Sequence, residues 1–232
     1  MCIAVKYGIW NVGQPESAAV NALVGYGYAP LTAMVLSARG IHTPRQAKEY
    51  LSCEAELHDP FLMTEMDLAA GRVGLAMQRG EKIAVFGDYD VDGITATCLL
   101  TAFLRQCGAD VVSYIPGRLE EGYGLNPIAI DQLHREGVKL IITVDCGITA
   151  VEEAQMCRNL GIDLVITDHH ECKDVLPEAI AVVDPHRPDG GYPHKNLSGV
   201  GVAFKLAAAL WATRRKFSGT TPTWCVSAPL PM

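Results

Sequence analysis

No two cysteines in this chain are spaced CxxC, although eight occur, at positions 2, 53, 98, 107, 146, 157, 172 and 225. Most fall inside apolar segments, so the sequence predicts reduced thiols packed as small hydrophobic side chains, not a zinc knuckle or a disulfide framework. Internal repeats and low-complexity tracts are absent as well. The balance of 49% hydrophobic and 19% charged residues over 232 positions suits one large globular domain or two small ones. A long unbroken apolar run is also missing. The most apolar N-terminal stretch, Ala18 to Leu36, is interrupted by Asn21, Gly25, Gly27 and Pro30. It has neither the basic flank nor the small-residue cleavage site of a signal peptide, so the expectation is a soluble, cytoplasmic protein with no membrane partner. Finally, there is no surplus of positive charge: the formal net charge is −7. Proteins that hold nucleic acid by bulk charge are usually basic. An acidic chain acts on phosphates when its carboxylates hold divalent cations, which reverse the local field. The charge weighs against a simple binding module and leaves a metalloenzyme open.

The first eighty residues read as helices. Thr43-Pro44 is a helix start, with an N-cap hydroxyl ahead of proline at the first helical position. Gly40 and Gly80 stand where helix-ending glycines belong, and Thr64 to Arg79 has a roughly helical apolar period. From Lys82 the pattern changes to short apolar runs: Ile83–Gly87, Asp110–Pro116, Lys139–Asp145, Asp163–Thr167 and Ile180–Asp184. Helix-length stretches lie between or after them, at Ile94–Cys107, Pro127–Glu136, Ile148–Leu160 and Gly199–Arg215. Strands alternating with helices predict an α/β fold with a mostly parallel sheet flanked by helices. Near-continuous apolarity within the runs fits strands covered on both faces.

The polar residues gather at the ends of these runs. Asp88, Asp90 and Asp92 follow the first, Asp145 ends the third, Asp168-His169-His170 follows the fourth, and Asp184 ends the fifth. In open α/β sheets ligands bind off the carboxyl ends of the strands. A single Asp after a strand is more often a turn former or a helix cap, and Asp92 before Gly93 fits that description. Four strand ends delivering carboxylates or imidazoles to one edge is harder to explain by turn chemistry, because without a cation they would repel and raise one another's pKa values. An oxygen-rich set with a minority of imidazole suits magnesium or manganese better than zinc. Two such ions about 3.5–4 Å apart support in-line attack on phosphorus. The residues therefore predict a metal-dependent phosphoesterase.

Several segments also carry a family resemblance. GDYDVDGITAT (Gly87–Thr97), TVDCGI (Thr143–Ile148), VITDHHE (Val165–Glu171) and VVDPHRP (Val182–Pro188) resemble successive motifs of the RecJ exonucleases of the DHH phosphoesterase superfamily. LHDPFLM (Leu57–Met63), YIPGRLEEGYGL (Tyr114–Leu125) and LSGVGVAFKL (Leu197–Leu206) resemble the sequence around them, so the likeness runs from about Trp10 to about Lys216. It implies a helical segment over 1–80 and a DHH domain over 81–216. The implied activity is a 5′→3′ exonuclease on single-stranded DNA in recombination and repair, using Mn²⁺ or Mg²⁺ at a two-metal site. A monomer is implied, with a single-strand-binding protein and a helicase as the family's partners. Carried over by position, Asp90, Asp92, Asp145 and His169 ligate metal, with Asp88 of the same motif added to the set. His170 contacts the scissile phosphate or helps protonate the leaving oxygen, and Asp168 orients its histidine neighbours. Asp184 reads equally well as a turn before Pro185. Arg118, in a glycine-rich loop, suits a bidentate phosphate contact, and Tyr123 of the same loop is a further substrate-binding candidate. For Asn196, Ser198, Gly199 and Gly201, a phosphate-binding turn competes with a plain helix cap.

Rival readings within the superfamily are pyrophosphatases and phosphodiesterases of short oligonucleotides. These place a histidine four residues before the Asp at position 90, where this chain has Phe86. A non-catalytic nucleic-acid-binding remnant is the rival of another class. The chain departs from the family from Ser218 onward, where SGTTPTWCVSAPLPM replaces an expected segment resembling LVxLGTIADVxPL, whose Asp completes the metal site. With suitable synonymous codons, Pro222–Met232 read two bases later becomes DLVCLGTIAD. The sequence thus predicts an out-of-frame tail over 217–232, a lost metal ligand, and a domain cut short with a strand edge exposed and activity impaired.

Overall fold

The computed structural model describes residues 13–52, 57–117, 122 and 124–218. The chain divides into two compact units, Met1–Leu57 and His58–Met232. In the first, helices α1 (Ser17–Tyr26), α2 (Pro30–Ala38) and α3 (Pro44–Leu51) bury Leu23, Ala33, Leu36 and Ala47 together. Thr43 begins α3 with a full capping box, its hydroxyl and the Gln46 side chain each serving the other's backbone N–H. Gly40 follows α2 at φ 80, the left-handed geometry that favours glycine after a helix.

The second unit opens with a 3-10 turn at Pro60–Leu62 and α4 (Met66–Arg79), which ends on Gly80 at φ 63. There follow β1 (Ile83–Phe86), α5 (Val91–Gln106), β2 (Val111–Tyr114), α6 (Pro127–Arg135) and β3 (Leu140–Val144). The unit closes with α7 (Val151–Asn159), β4 (Asp163–Thr167), β5 (Ala181–Val183) and α8 (Gly199–Ser218). All strand pairs are parallel, in the order β2-β1-β3-β4-β5. Alternate residues of each strand face opposite ways. Ile83 and Val85 of β1 join the core made with α4, α5 and α8, while Ala84 and Phe86 join the one made with α6 and α7. The expected two-faced burial is present in β1, β3, β4 and β5, while β2, at the edge, is only partly buried with Ser113 exposed; each expected strand and helix from β1 onward forms.

Three expectations change in detail. The units part at Leu57/His58, whereas the sequence reading ended its helical segment at 80. Ala69, Ala70, Val73 and Ala76 give α4 an apolar stripe, and that stripe lies in the core of the sheet. Amphipathic period announces a buried face without naming the partner that buries it. The outer edge of β5 is not bare either. Glu65 Oε2 accepts from Val182 N–H (2.8 Å), Arg187 Nη1 donates to Val182 C=O (2.7 Å), and the two side chains pair at 2.9 Å. Side chains thus take up the backbone groups that would template another strand. Among the cysteines, Cys146 and Cys157 are buried as expected, but Cys98 is exposed. No helix among the described residues is long and apolar enough to cross a membrane. The segment read as out of frame lies, from residue 219 on, outside the described residues.

Candidate metal centre

The chain leaves β1 toward β2 on one side and later fills β3 on the other, so the winding reverses between β1 and β3. Such a switch point opens a crevice at the carboxyl ends of the strands. Asp88 and Asp90 follow β1 there, and Asp145 follows β3. Asp90 also caps α5, its Oδ1 accepting from Gly93 N–H at 2.9 Å. Gly93 has no alternative at this turn, because a Cβ would stand 2.6 Å from the Asp88 carbonyl oxygen. Asp145 adopts φ 62, a left-handed backbone that Asp tolerates better than most residues. Backbone outliers of this kind gather at functional sites.

Two sets of side chains bring one ligand atom each to within 4.8 Å of one another: Asp88, Asp90 and Asp145, and Asp145, His169 and His170. Asp145 belongs to both. His169 Nε2 stands 3.0 Å from Asp145 Oδ1 and 3.7 Å from Asp92 Oδ2. Asp92, on α5, borders the second set without belonging to it, and both its oxygens accept from the first amides of α8, Gly199 N–H at 2.7 Å and Val200 N–H at 2.8 Å.

Asp168 organises the histidines. Its carboxylate accepts from the backbone N–H of Ile148 (2.9 Å), His169 (2.7 Å) and His170 (3.3 Å), and meets His170 Nδ1 at 2.7 Å. Burial opposes its charge, but the bonds from His170, Ile148 and His169 outweigh that and hold its pKa below the usual value. The same bond raises His170 to about 9. Asp145 moves the opposite way from Asp168. Burial first, and then the charges of Asp92 and Asp90, push it up to about 7. A buried carboxylate raised by its neighbours' repulsion is a fit for a divalent cation, which would offset that repulsion, and the oxygen-rich donor set suits a hard ion.

Other candidates sit differently. Asp184 is buried at the end of β5 and accepts from His186 N–H at 2.7 Å, the local bond of an Asx turn, outside both ligand sets. Burial and Asp168 raise it to about 7. Asn196 and Ser198 are exposed, and Ser198 Oγ accepts from Gly201 N–H at 3.3 Å. With the amides of Gly199, Val200 and Gly201 so engaged, this turn has the bonding of a helix cap. Arg118 and Tyr123 lie outside the described residues. Phe86 is fully buried and stacks on Tyr114 at 5.3 Å, so that position supplies packing to the sheet instead of a ligand. The contact of Asp92 with Gly199 was missed in the sequence, which shows the two residues 107 positions apart.

Comparison with known proteins adds an independent line. The pattern described as the DHH family, N-terminal domain, matches residues 82–224. The single-stranded-DNA-specific exonuclease RecJ of Bacillus subtilis is 44% identical over 203 residues, 87% of this chain and 26% of that protein. The Escherichia coli protein of the same name is 45% identical over 136 residues, 58% of this chain and 24% of that protein. The crystal structure of RecJ from Thermus thermophilus in complex with Mn²⁺ is similar at a TM-score of 0.68 and 29% identity, over 91% of this chain and 29% of that one. The chain spans about a quarter of the length of these curated relatives.

Proposed function

This chain belongs to the DHH family, and from that premise we propose that it is the metal-holding part of a 5′→3′ exonuclease that hydrolyses phosphodiester bonds of single-stranded DNA. The observation that carries the reading is Asp145, a buried carboxylate shared by two sets of ligand atoms at the switch point of the sheet. Asp88, Asp90 and Asp145 would hold one Mn²⁺ or Mg²⁺, and Asp145 and His169, with Asp92 beside His169, would hold a second. Such ions would supply Lewis acidity, offsetting charge on the phosphate oxygens and lowering the pKa of the attacking water. The protein's own groups do the rest. Asp168 fixes His170 through Nδ1 and favours its protonated form, and His170 meets the scissile phosphate or gives a proton to the leaving oxygen. Arg118 and Tyr123 bind the strand, and the reaction serves recombination and repair in the cytoplasm.

The test is release of 5′ nucleotides from a labelled single strand and from its duplex, in Mn²⁺ and in EDTA. We expect release from the single strand alone and only with metal. Reading 217–232 as out of frame, we also expect slower turnover than in a frame-restored version. Undiminished activity in EDTA would overturn the metal mechanism, and equal attack on the duplex would overturn the strand preference.

A further inference from the structure

We propose that Gly199 is a positioning residue of the metal centre, fastening the start of α8 to Asp92 while leaving room for the Asp145 carboxylate. This inference rests on the metal reading above and deepens it. Glycine is often demanded by backbone conformation, but Gly199 is not among the glycines with positive φ. Its lack of a side chain is what matters. A Cβ there would come within 2.5 Å of Asp145 Cβ and 2.6 Å of its Cγ, and would collide with Oδ1. Asp145 has little freedom to yield, being 2% exposed, left-handed in backbone and 3.0 Å from His169 Nε2.

The amide of the same residue does a second job. Gly199 N–H donates to Asp92 Oδ2 at 2.7 Å and Val200 N–H to Oδ1 at 2.8 Å. The first amides of a helix have no partner within it, and bonds from them to a carboxylate are short and strong. The positive end of the α8 dipole adds to the attraction. One amide on each oxygen still leaves carboxylate lone pairs for a cation. The two carboxylates beside His169 are therefore both referenced to one residue, Asp92 by its N–H and Asp145 by its missing side chain. The turn at Ser198–Gly201, which the sequence left open as a phosphate contact, serves the centre through Asp92.

The test is calorimetric titration of the whole chain with Mn²⁺ alone, alongside the melting temperature of the metal-free protein. Gly199→Ala is expected to weaken Mn²⁺ binding about 10–100-fold, the range typical of groups that orient metal ligands. Ser198→Ala removes the cap on Gly201 and touches neither carboxylate, so it is expected to lower melting slightly and leave Mn²⁺ affinity unchanged. If Gly199→Ala does not fold, amide hydrogen exchange of the unaltered chain carries the test: the N–H groups of Gly199 and Val200, held by Asp92, should exchange slowly and more slowly still with Mn²⁺ bound. Wild-type affinity in a folded Gly199→Ala overturns the inference, as do unprotected Gly199 and Val200 amides or an equal loss of affinity in Ser198→Ala. Failure of the unaltered chain to bind Mn²⁺ is a different result, and it overturns the metal reading itself.

Discussion

At the amino ends of the strands, Glu81 and Asp163 both reach Arg72, at 2.6 and 2.5 Å, and the guanidinium is largely buried between them. At the carboxyl ends of the same sheet, Asp92, Asp145, Asp168 and Asp184 each have a histidine within ion-pair distance. A guanidinium keeps its charge at every working pH, so the first arrangement is a permanent structural pair. Imidazole titrates near neutrality and compensates less. Asp145 and Asp184 are accordingly raised to about 7, by burial first and by neighbouring carboxylates next. One end of the sheet uses its acidic groups to hold the fold; the other keeps buried Asp145 against Asp92 and Asp90, a repulsion that a cation would relieve.

The largest expected effect comes from breaking the second arrangement at its shared member. Asp145→Asn removes one charge and keeps a residue that tolerates φ 62. Because Asp145 belongs to both ligand sets, Mn²⁺ affinity should fall by more than about 100-fold, beyond the loss typical of groups that only orient a ligand. The metal-free protein should melt no lower at pH 8 than its parent, since a repelling charge has gone. Calorimetry and thermal melts read the two outcomes. A variant that binds Mn²⁺ normally but melts well below the parent would show Asp145 to be a structural carboxylate like Asp163.

The opposite pattern is expected at the amino end. Arg72→Met strands Glu81 and Asp163 without their cation, and removing one partner of a buried ion pair costs about 3–5 kcal/mol. Asp163 is partly exposed, so a loss of about 2–4 kcal/mol is the expectation, measured by urea unfolding. Mn²⁺ affinity should not change. Weakened Mn²⁺ binding in a stably folded Arg72→Met protein would mean that the two ends are coupled and the contrast between them is false.

How much of this the sequence discloses follows from how locally each feature is encoded. The five strands are legible because their apolar runs are nearly unbroken, and the candidate site because acidic residues and histidines follow those runs directly. Thr43 is legible as a cap because a hydroxyl directly ahead of proline is a local signal, and the capping box it makes with Gln46 closes within four residues. The place of α4 is not, since Ala69, Val73 and Ala76 announce a buried face and nothing more. Contacts across long separations are invisible in one sequence. Asp92 reads as a ligand or a turn former, yet both its oxygens hold α8, and nothing in the sequence links Glu65 to the edge of β5 that it closes with Arg187. Resemblance to a family supplied roles for Arg118 and Tyr123, which residue type alone does not assign.

The smallest expected effect is graded with pH, and it tests the contrast without a mutation. A carboxylate whose folded pKa is raised binds more protons folded than unfolded between the two pKa values, so stability falls as pH rises across that interval. For Asp145 and Asp184 the interval runs from their ordinary value of 3.8 to about 7. His170 acts with the same sign higher up: its bond to Asp168 contributes fully below the ordinary 6.5 and is lost as pH rises through about 9. Metal-free protein should therefore melt at progressively lower temperature from pH 5 to pH 9. Mn²⁺ competes with protons for the same carboxylates, so its stabilisation should grow over that range. At 100 times its dissociation constant a ligand contributes about 2.7 kcal/mol, and that ratio is reached at lower Mn²⁺ as pH rises. Thermal melts at pH 5.5 and pH 8, with and without a fixed concentration of Mn²⁺, measure the difference. In Asp145→Asn the pH dependence should shrink and the Mn²⁺ increment should vanish, whereas Arg72→Met should keep both on a lower baseline. A Mn²⁺ increment that is the same at both pH values would mean that the carboxyl-end cluster is not where the ion binds.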